Sequence, residues 1–374
     1  MTAGRRLLYL SLETPREGQA TYTHVHEIIR GLRQIGWTVD LLATSRGGAS
    51  SGSSYLARLM DYVRVQWQAA RRLKHYDAVF MRAHFAAMPL SAWAGLRGVP
   101  VFQEINGLPA DILVTYRWLR WIGPLIRWLY RSQMKMAAHV FVVTEGLRGW
   151  ALAEAGHDRV SVVTNGADTD LFTPEGPRPA EPERYIAFVG GLTAWHGIAT
   201  MIAATREPAW PEGVELVIIG DGVERDRLKD TTAHPRVRWL GRRPPTEVAS
   251  YLRGAIAALS ITEDSAGHLK TGVAPLKLFE AMASGVPVIV TDLPFQGEVV
   301  REHETGTVIP MASPADLAGA AATLAGDAAL ASRRGRNGRR YVERYASWQS
   351  RADEIAEQMA PLFRSDGKAR LQKN

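Results

Sequence analysis

Residues 1–168 alternate short apolar runs with longer stretches in which apolar and polar positions recur every three or four residues. Runs that are apolar throughout suit strands buried on both faces of a parallel sheet, and the helical-period stretches suit the helices that cover it. The pattern predicts strands at Leu7–Leu12, Thr38–Ala43, Ala78–Met81, Val99–Ile105, Val140–Thr144 and Val160–Thr164. Helices are predicted at Ala20–Gln34, Tyr55–Leu73, Met88–Leu96, Trp118–Ala137 and Glu145–Ala155. The pattern then restarts, with strands at Tyr185–Val189, Glu215–Ile219, Val237–Leu240, Ala255–Leu259, Val286–Val290 and Gly306–Ile309. Thr173–Arg184, with five prolines or glycines, reads as an interdomain linker. Helices at Pro314–Ala325, Ala328–Tyr345 and Trp348–Phe363 close the chain. The expected architecture is α/β: two doubly wound parallel-sheet domains, 1–168 and 169–345, facing a cleft. A C-terminal helix over 346–364 is expected to cross back to the first domain, and 365–374 to fray.

Composition narrows the class. A length of 374 residues is more than one ordinary core takes, which agrees with two domains. With no cysteine, a disulfide framework, a Cys-ligated metal and a Cys nucleophile are excluded. No uncharged apolar stretch reaches the ~18 residues of a membrane span, and the N-terminus lacks a signal-peptide core. The expectation is a cytoplasmic protein, either soluble or peripheral on the inner face of the cell membrane, and not secreted by the usual route. The net charge of +7 is unevenly placed. Residues 1–168 hold 20 Lys/Arg against 12 Asp/Glu, a balance of +8, and the remainder holds 25 against 26, a balance of −1. An anionic partner is therefore expected for the first half. Nucleic acid would account for that charge but for no motif, and is not expected.

Some motifs carry no weight. Gly48–Gly52 matches a nucleophile elbow only because it lies in a Gly/Ser run. Asp168-Thr169-Asp170 has metal-binding spacing, but turn and capping chemistry explains it equally well, and no metal is expected. His24 and His26, two apart on a helix, point to different sides. Gly220-Asp221-Gly222 follows a strand but lacks the rest of a dinucleotide fingerprint.

Other segments place chemistry together. In Pro275–Val290, Pro275 opens a helix, Gly285 ends it and Pro287 prevents its continuation. Its ionisable residues, Lys277 and Glu280, share one face. They form either an exposed stripe with a surface ion pair or a cleft-facing pair, Lys277 on a phosphate and Glu280 accepting from ribose hydroxyls. Val189–Gly197 ends a strand in Gly190 and Gly191, with Thr193 and a helix start near His196. It suits either a second phosphate contact or an ordinary strand–loop–helix turn. Gly18 holds the corresponding place after the first strand.

Together these residues resemble the retaining glycosyltransferases of family 4, which have the GT-B architecture of two Rossmann-like domains. The resemblance rests on Pro15 to Gly18, Gly36-Trp37-Thr38-Val39, Asn165-Gly166-Ala167-Asp168 through Phe172, Gly190 to Gly197, and Glu280 through Val288. Several positions depart from the family. Gly191 and His196 stand where an Arg and a Lys usually hold the donor diphosphate, and Gly272 where the first of two paired glutamates is usual. Asn106 replaces a common His, and Gln19 a second glycine. The chain thus reads as a variant subgroup in which Lys277 and His196 restore positive charge. The resemblance implies metal-independent, retaining transfer of a sugar from a nucleotide-sugar, a UDP- or GDP-sugar, to an acceptor hydroxyl in polysaccharide, lipopolysaccharide or glycolipid assembly. No cofactor is implied, because the nucleotide-sugar is a co-substrate. The implied catalytic residues are Glu280, Lys277, His196, Glu104 and Asn106. The donor would contact Gly18, Gly190, Gly191, Thr193, His196, Gly222, Lys277, Leu278 and Glu280. The acceptor would be lipid-linked or a carbohydrate. Residues 116–135, with Arg117, Arg120, Arg127, Arg131 and Lys135 beside Trp118, Trp121 and Trp128, offer a contact to an anionic membrane surface or a solvated helix edge. The rivals are a nucleotide-sugar epimerase of the same architecture and a non-catalytic nucleotide-sugar-binding protein.

Overall fold

The computed structural model describes residues 4–14, 18–45, 55–109, 121–229, 234–263 and 267–371. The Gly48–Gly52 run, Pro15–Glu17, Arg117, Trp118 and Arg120 lie outside the described residues. The chain divides into two compact units, residues 1–164 with 349–374, and residues 165–348.

In the first unit the order is β1 (Arg6–Ser11), α1 (Ala20–Gln34), β2 (Thr38–Ala43), α2 (Tyr55–Arg72), β3 (Ala78–Arg82), α3 (Met88–Leu96), β4 (Val101–Ile105), α4 (Gly123–Met136), β5 (His139–Val142), α5 (Glu145–Ala155) and β6 (Val160–Val162). The sheet is parallel, in the order β2-β1-β3-β4-β5-β6, so its topological switch point lies between β1 and β3. Local chemistry sets the element ends. Pro100 has no N–H to donate, so β4 starts at Val101 and not at the expected Val99. Thr144 caps α5 by accepting from the Leu147 N–H, and Gly156 ends it in the left-handed region. Pro124 sits in the first turn of α4, which runs from Gly123; residues 118–120 of the helix expected here lie outside the described residues. Arg127 and Arg131 of that helix turn toward the buried Glu154 on α5, which takes two of the expected basic stripe into an intramolecular cluster.

The second unit runs β7 (Tyr185–Val189), α6 (Ile198–Ala204), β8 (Glu215–Ile219), α7 (Val223–Lys229), β9 (Val237–Gly241), α8 (Pro245–Gly254), β10 (Ala257–Ser260), α9 (His268–Thr271), α10 (Leu276–Ala283), β11 (Val288–Thr291), α11 (Gln296–Glu302), β12 (Gly306–Ile309), α12 (Pro314–Gly326) and α13 (Ala328–Tyr345). Its parallel sheet has the order β12-β11-β10-β7-β8-β9, with the switch point between β7 and β10. Pro287 delays β11 to Val288, as Pro100 delays β4.

Two expectations about connections change. Thr173–Arg184 is not an interdomain linker, because the chain divides after Thr164 and this segment is bound to the second unit. The buried Arg253 donates to the carbonyl oxygens of Thr173 and Pro177 at 2.8 and 2.6 Å, and Ser250 also donates to Pro177. The last helix, α14 (Trp348–Leu371), runs past the expected end at 364 into residues with good helix propensity (Lys368–Leu371). It packs on the first unit, with the Phe363 ring against Trp37 and Phe102.

Candidate functional site

Open parallel sheets bind ligands beyond the carboxyl ends of their strands, beside the switch point. In the second unit that place is the end of β7, and α10 delivers two ionisable side chains there. Pro275 is the residue before α10 and Gly285 follows it at φ +70°, as the sequence requires of a short helix with sharp ends. The Lys277 Nζ lies 4.2 Å above the centre of the Phe188 ring and is buried, with no hydrogen-bond partner among the described residues. Gly190 allows this approach, since a Cβ there would stand 3.0 Å from Nζ. Phe188 and Gly190, two apart along an extended strand end, present the same side.

Burial governs the chemistry of the pair. It lowers the Lys277 ammonium to about 7, only partly countered by Glu280. Burial likewise raises the Glu280 carboxyl to about 7, against the pull of Lys277. They make no ion pair with each other among the described contacts, so the surface ion pair expected from spacing alone is absent there. Among the described residues the desolvated amine has no acceptor and no donor is seen on the Glu280 carboxyl, so the pair is poised for groups that would supply both. Leu278, between them, is fully buried in the core and its N–H goes to the Pro275 carbonyl, so its side chain cannot reach a ligand.

The glycine loops behave differently from the expected phosphate cradle. The Gly190 N–H donates to Ile219 and the Leu192 N–H to Asp221, so these groups join the β7 and β8 loops instead of facing an anion. Gly222 is required by the same packing: at φ +158°, a Cβ would lie 2.4 Å from the Leu192 carbonyl oxygen. Gly191 is exposed with open space around it. After it comes a single 3-10 turn, Ala194–His196, then left-handed Gly197, and only then α6. His196 does not begin a helix and does not carry positive charge here. Burial and the neighbouring Lys277 lower its ring to about 3. Its Nδ1 faces Thr193 Oγ1 at 3.0 Å and the Gly191 carbonyl oxygen, which can only accept, so Nδ1 carries the proton. Glu263, beyond β10, accepts from Thr200 at 2.6 Å, and its N–H donates to Trp195, which fixes this loop.

Gly272, the position of the absent first glutamate, has φ +72°, and a Cβ there would stand 2.8 Å from the Pro294 carbonyl oxygen. The local backbone excludes a side chain at this site.

In the first unit, Glu104 near the end of β4 is the centre of a buried polar cluster. His24 Nε2 lies 2.7 Å from its carboxylate, Tyr9 donates at 3.1 Å, Arg82 reaches it at 3.4 Å, and Asn106 donates to the same oxygen as His24 and Arg82. Burial pushes this carboxyl up, but His24, Arg82 and Asn106 outweigh it and hold Glu104 at about 2. A carboxylate so low and so fully engaged is a poor proton acceptor; its contacts suit positioning. Arg82 also binds Glu13 at 2.9 Å and stays charged despite burial. Asn106 Oδ1 is buried with no hydrogen-bond partner among the described residues. Gly18 (φ +79°) precedes Gln19, the residue before α1, with open space around it. The Asp168 carboxylate accepts from the Asp170 and Leu171 N–H groups, which accounts for the metal-like motif as a turn.

Sequence reasoning missed Tyr9, His24, Arg82 and Phe188. Arg82 carries a signal, a charge ending an otherwise apolar strand; His24, on a helix two residues from His26, carries none that points to Glu104.

The two units match known families. Residues 22–171 match the sequence model of Glycosyltransferase Family 4, and residues 183–327 match that of Glycosyl transferases group 1. D-inositol 3-phosphate glycosyltransferase of Corynebacterium glutamicum is 30% identical over 227 residues, 54% of this chain and 52% of that protein. The chain thus spans about half the length of that relative. Sucrose-phosphate synthase from Thermosynechococcus elongatus has a similar fold, with TM-score 0.78 at 19% identity over 96% of this chain and 100% of that one. The Anabaena protein Alr3699/HepE, solved in complex with UDP and glucose, has TM-score 0.70 at 15% identity, over 95% and 99%. Each unit carries the parallel α/β sheet of the GT-B structures, and with a glycosyltransferase model matched in each part of the chain the protein is a glycosyltransferase.

Proposed function

We propose that this glycosyltransferase moves a sugar from a nucleotide-sugar to an acceptor hydroxyl, with retention at the anomeric carbon and without a metal ion. The observation that carries the reading is Lys277, whose buried Nζ has no hydrogen-bond partner among the described residues and lies beside Glu280 and Gly190 at the carboxyl end of β7. A diphosphate supplies the acceptor oxygens that Nζ lacks and raises the amine toward its charged form. Glu280 takes hydrogen bonds from the ribose hydroxyls. His196, with Nδ1 committed to Gly191, joins the diphosphate by taking up a proton at Nε2, which the incoming negative charge favours. Charge that builds on the departing nucleotide diphosphate then meets fixed positive groups in a desolvated site. In the first unit the Glu104 cluster holds Asn106 for contact with the sugar or acceptor. The UDP and glucose bound by the Anabaena protein make UDP-sugars the first donors to test. A lipid-linked acceptor fits the basic surplus of the first half.

The decisive experiment joins thermal-shift screening with UDP-, GDP- and ADP-sugars to an assay of sugar transfer or donor hydrolysis. Glu280→Ala should nearly abolish transfer while leaving the fold intact. Full activity in that variant would sink the assignment.

A further inference from the structure

α2 is apolar on the wrong side. Its buried positions, Asp61, Val65 and Ala69, face the sheet. At about 100° per residue, Leu56, Leu59, Met60, Val63 and Trp67 fall on the opposite side, within an arc of about 100°. All five are between 56% and 66% exposed. A helix that only covers a sheet has charged residues there.

The neighbouring helices continue the surface. α3 packs between α2 and α4. From α3 and the residue after it, Trp93, Leu96 and Arg97 are exposed; from α4 and the turn just before it, Trp121 (89% exposed), Leu125 and Trp128. Two cations stack on exposed indoles, Arg71 over Trp67 at 5.7 Å and Arg97 over Trp93 at 4.4 Å. Across residues 55–72, 88–97 and 121–136, the only acidic residue is Asp61, which is buried and bonded to Arg64 and the Ser45 N–H. Among the described residues no helix is long and apolar enough to cross a membrane.

We infer that the outward face of the α2–α3–α4 layer docks on an anionic lipid bilayer, with Leu59, Val63, Trp67 and Trp128 entering the interface and Arg71 and Arg97 meeting the headgroup phosphates. An apolar, tryptophan-rich face edged only by cations complements that surface in polarity and in sign. A second copy of the chain would gain from the apolar stripe but would set these cations against its own. The purpose assigned to docking rests on the proposed transfer to a lipid-linked acceptor; the face itself is independent of that reading. It also moves the contact from residues 116–135 alone to a surface centred on α2.

The test is co-sedimentation of the full chain with vesicles of phosphatidylglycerol and phosphatidylcholine, and with vesicles of phosphatidylcholine alone, at low salt. The wild type should bind the anionic vesicles and release them as salt rises. The combined Leu59→Ser, Val63→Ser and Trp67→Ser variant should lose at least about tenfold in partitioning. The Arg71→Gln, Arg97→Gln variant should lose about tenfold on anionic vesicles only. If the triple variant fails to fold, Leu125→Ser with Trp128→Ser on α4 puts the same question. Equal binding by wild type and variants, or no binding, overturns the inference. So does a concentration-dependent dimer in lipid-free solution that the triple variant dissolves, because a second copy would then own the face. Thermal shift with soluble UDP-glucose separates the two claims: a lost shift with intact vesicle binding refutes the donor reading alone, and the reverse refutes docking alone.

Discussion

Replacing Lys277 by methionine should make the second unit more stable and the enzyme inactive. Methionine is close in volume and carries no charge to desolvate. A lysine brought from 10.5 to about 7 by burial is destabilised in its charged form by about 5 kcal/mol, at 1.36 kcal/mol per pH unit. That is an upper bound. The lysine stem is half-buried, the contact with Phe188 is lost in the variant, and Glu280 loses a favourable neighbour. A gain of about 2 kcal/mol at about pH 6.5 is the expected remainder, or about 4–8 °C in the melting of a unit this size. The sign of the pH dependence follows from proton counting. Between about 7 and 10.5 the unfolded lysine keeps a proton that the folded one has released, so wild-type stability rises through that window. The advantage of Lys277→Met should therefore be full below about 7 and shrink as pH approaches 10.5. Melting curves at both ends, with and without UDP, measure the gain and the binding together. The variant should melt higher, show no UDP-induced shift and lose donor hydrolysis by about a hundredfold or more. A variant that melts no higher than wild type, or keeps the UDP shift, would refute the reasoning.

Two further predictions concern the surroundings of the site. Glu104→Gln should cost about 2–3 kcal/mol at neutral pH, because it removes a buried charge that His24, Tyr9, Arg82 and Asn106 converge on. Since Glu104 is held at about 2 against an ordinary 4.5, its contribution is present above 4.5 and lost as pH falls through about 2. Urea titrations at neutral and acid pH should show the difference from wild type narrowing toward acid, and a constant difference would argue for packing alone. Gly272→Glu, which restores the residue usual in the family, should lower the melting point and not raise activity. The change costs about 2 kcal/mol or more at φ +72° against the Pro294 carbonyl; a gain in transfer rate would contradict this.

The two sheets were legible because buried parallel strands leave continuous apolar runs, and the shifts at β4 and β11 come from one missing N–H each, at Pro100 and Pro287. The ends of α10 were legible from Pro275 and Gly285 for the same local reason. What depends on distant partners was not. Nothing near residues 173–184 announces that Arg253 holds them, and a run of prolines reads equally as linker or strap. Spacing put Lys277 and Glu280 on one face, but only the Phe188 ring and the close pass of Gly190 reveal that the amine is dry. The two glycines after β7 suggested N–H groups turned to an anion. Gly190 and Leu192 instead give theirs to the neighbouring loop, a pairing set by strand order.

The uneven charge can now be divided by its surroundings. In the first half, Arg82, Arg127 and Arg131 are held by Glu13, Glu104 and Glu154, so part of the +8 is internal. Arg71 and Arg97 lie on the outer apolar face, where salt screens them beyond about 10 Å and only a charged surface close by can use them. The second half, at −1, has no surplus with which to attract a nucleotide diphosphate from a distance. Among its described residues one amine, that of Lys277, is out of water and without a hydrogen-bond partner. The interaction of unit charges scales inversely with the effective dielectric, so a single buried Lys277 can outweigh several exposed arginines once a phosphate is in contact. On the proposed reading, long-range attraction and stabilisation of the leaving group call for different charges and fall to different units: wet cations for approach to a surface, one dry cation, Lys277, for the departing diphosphate.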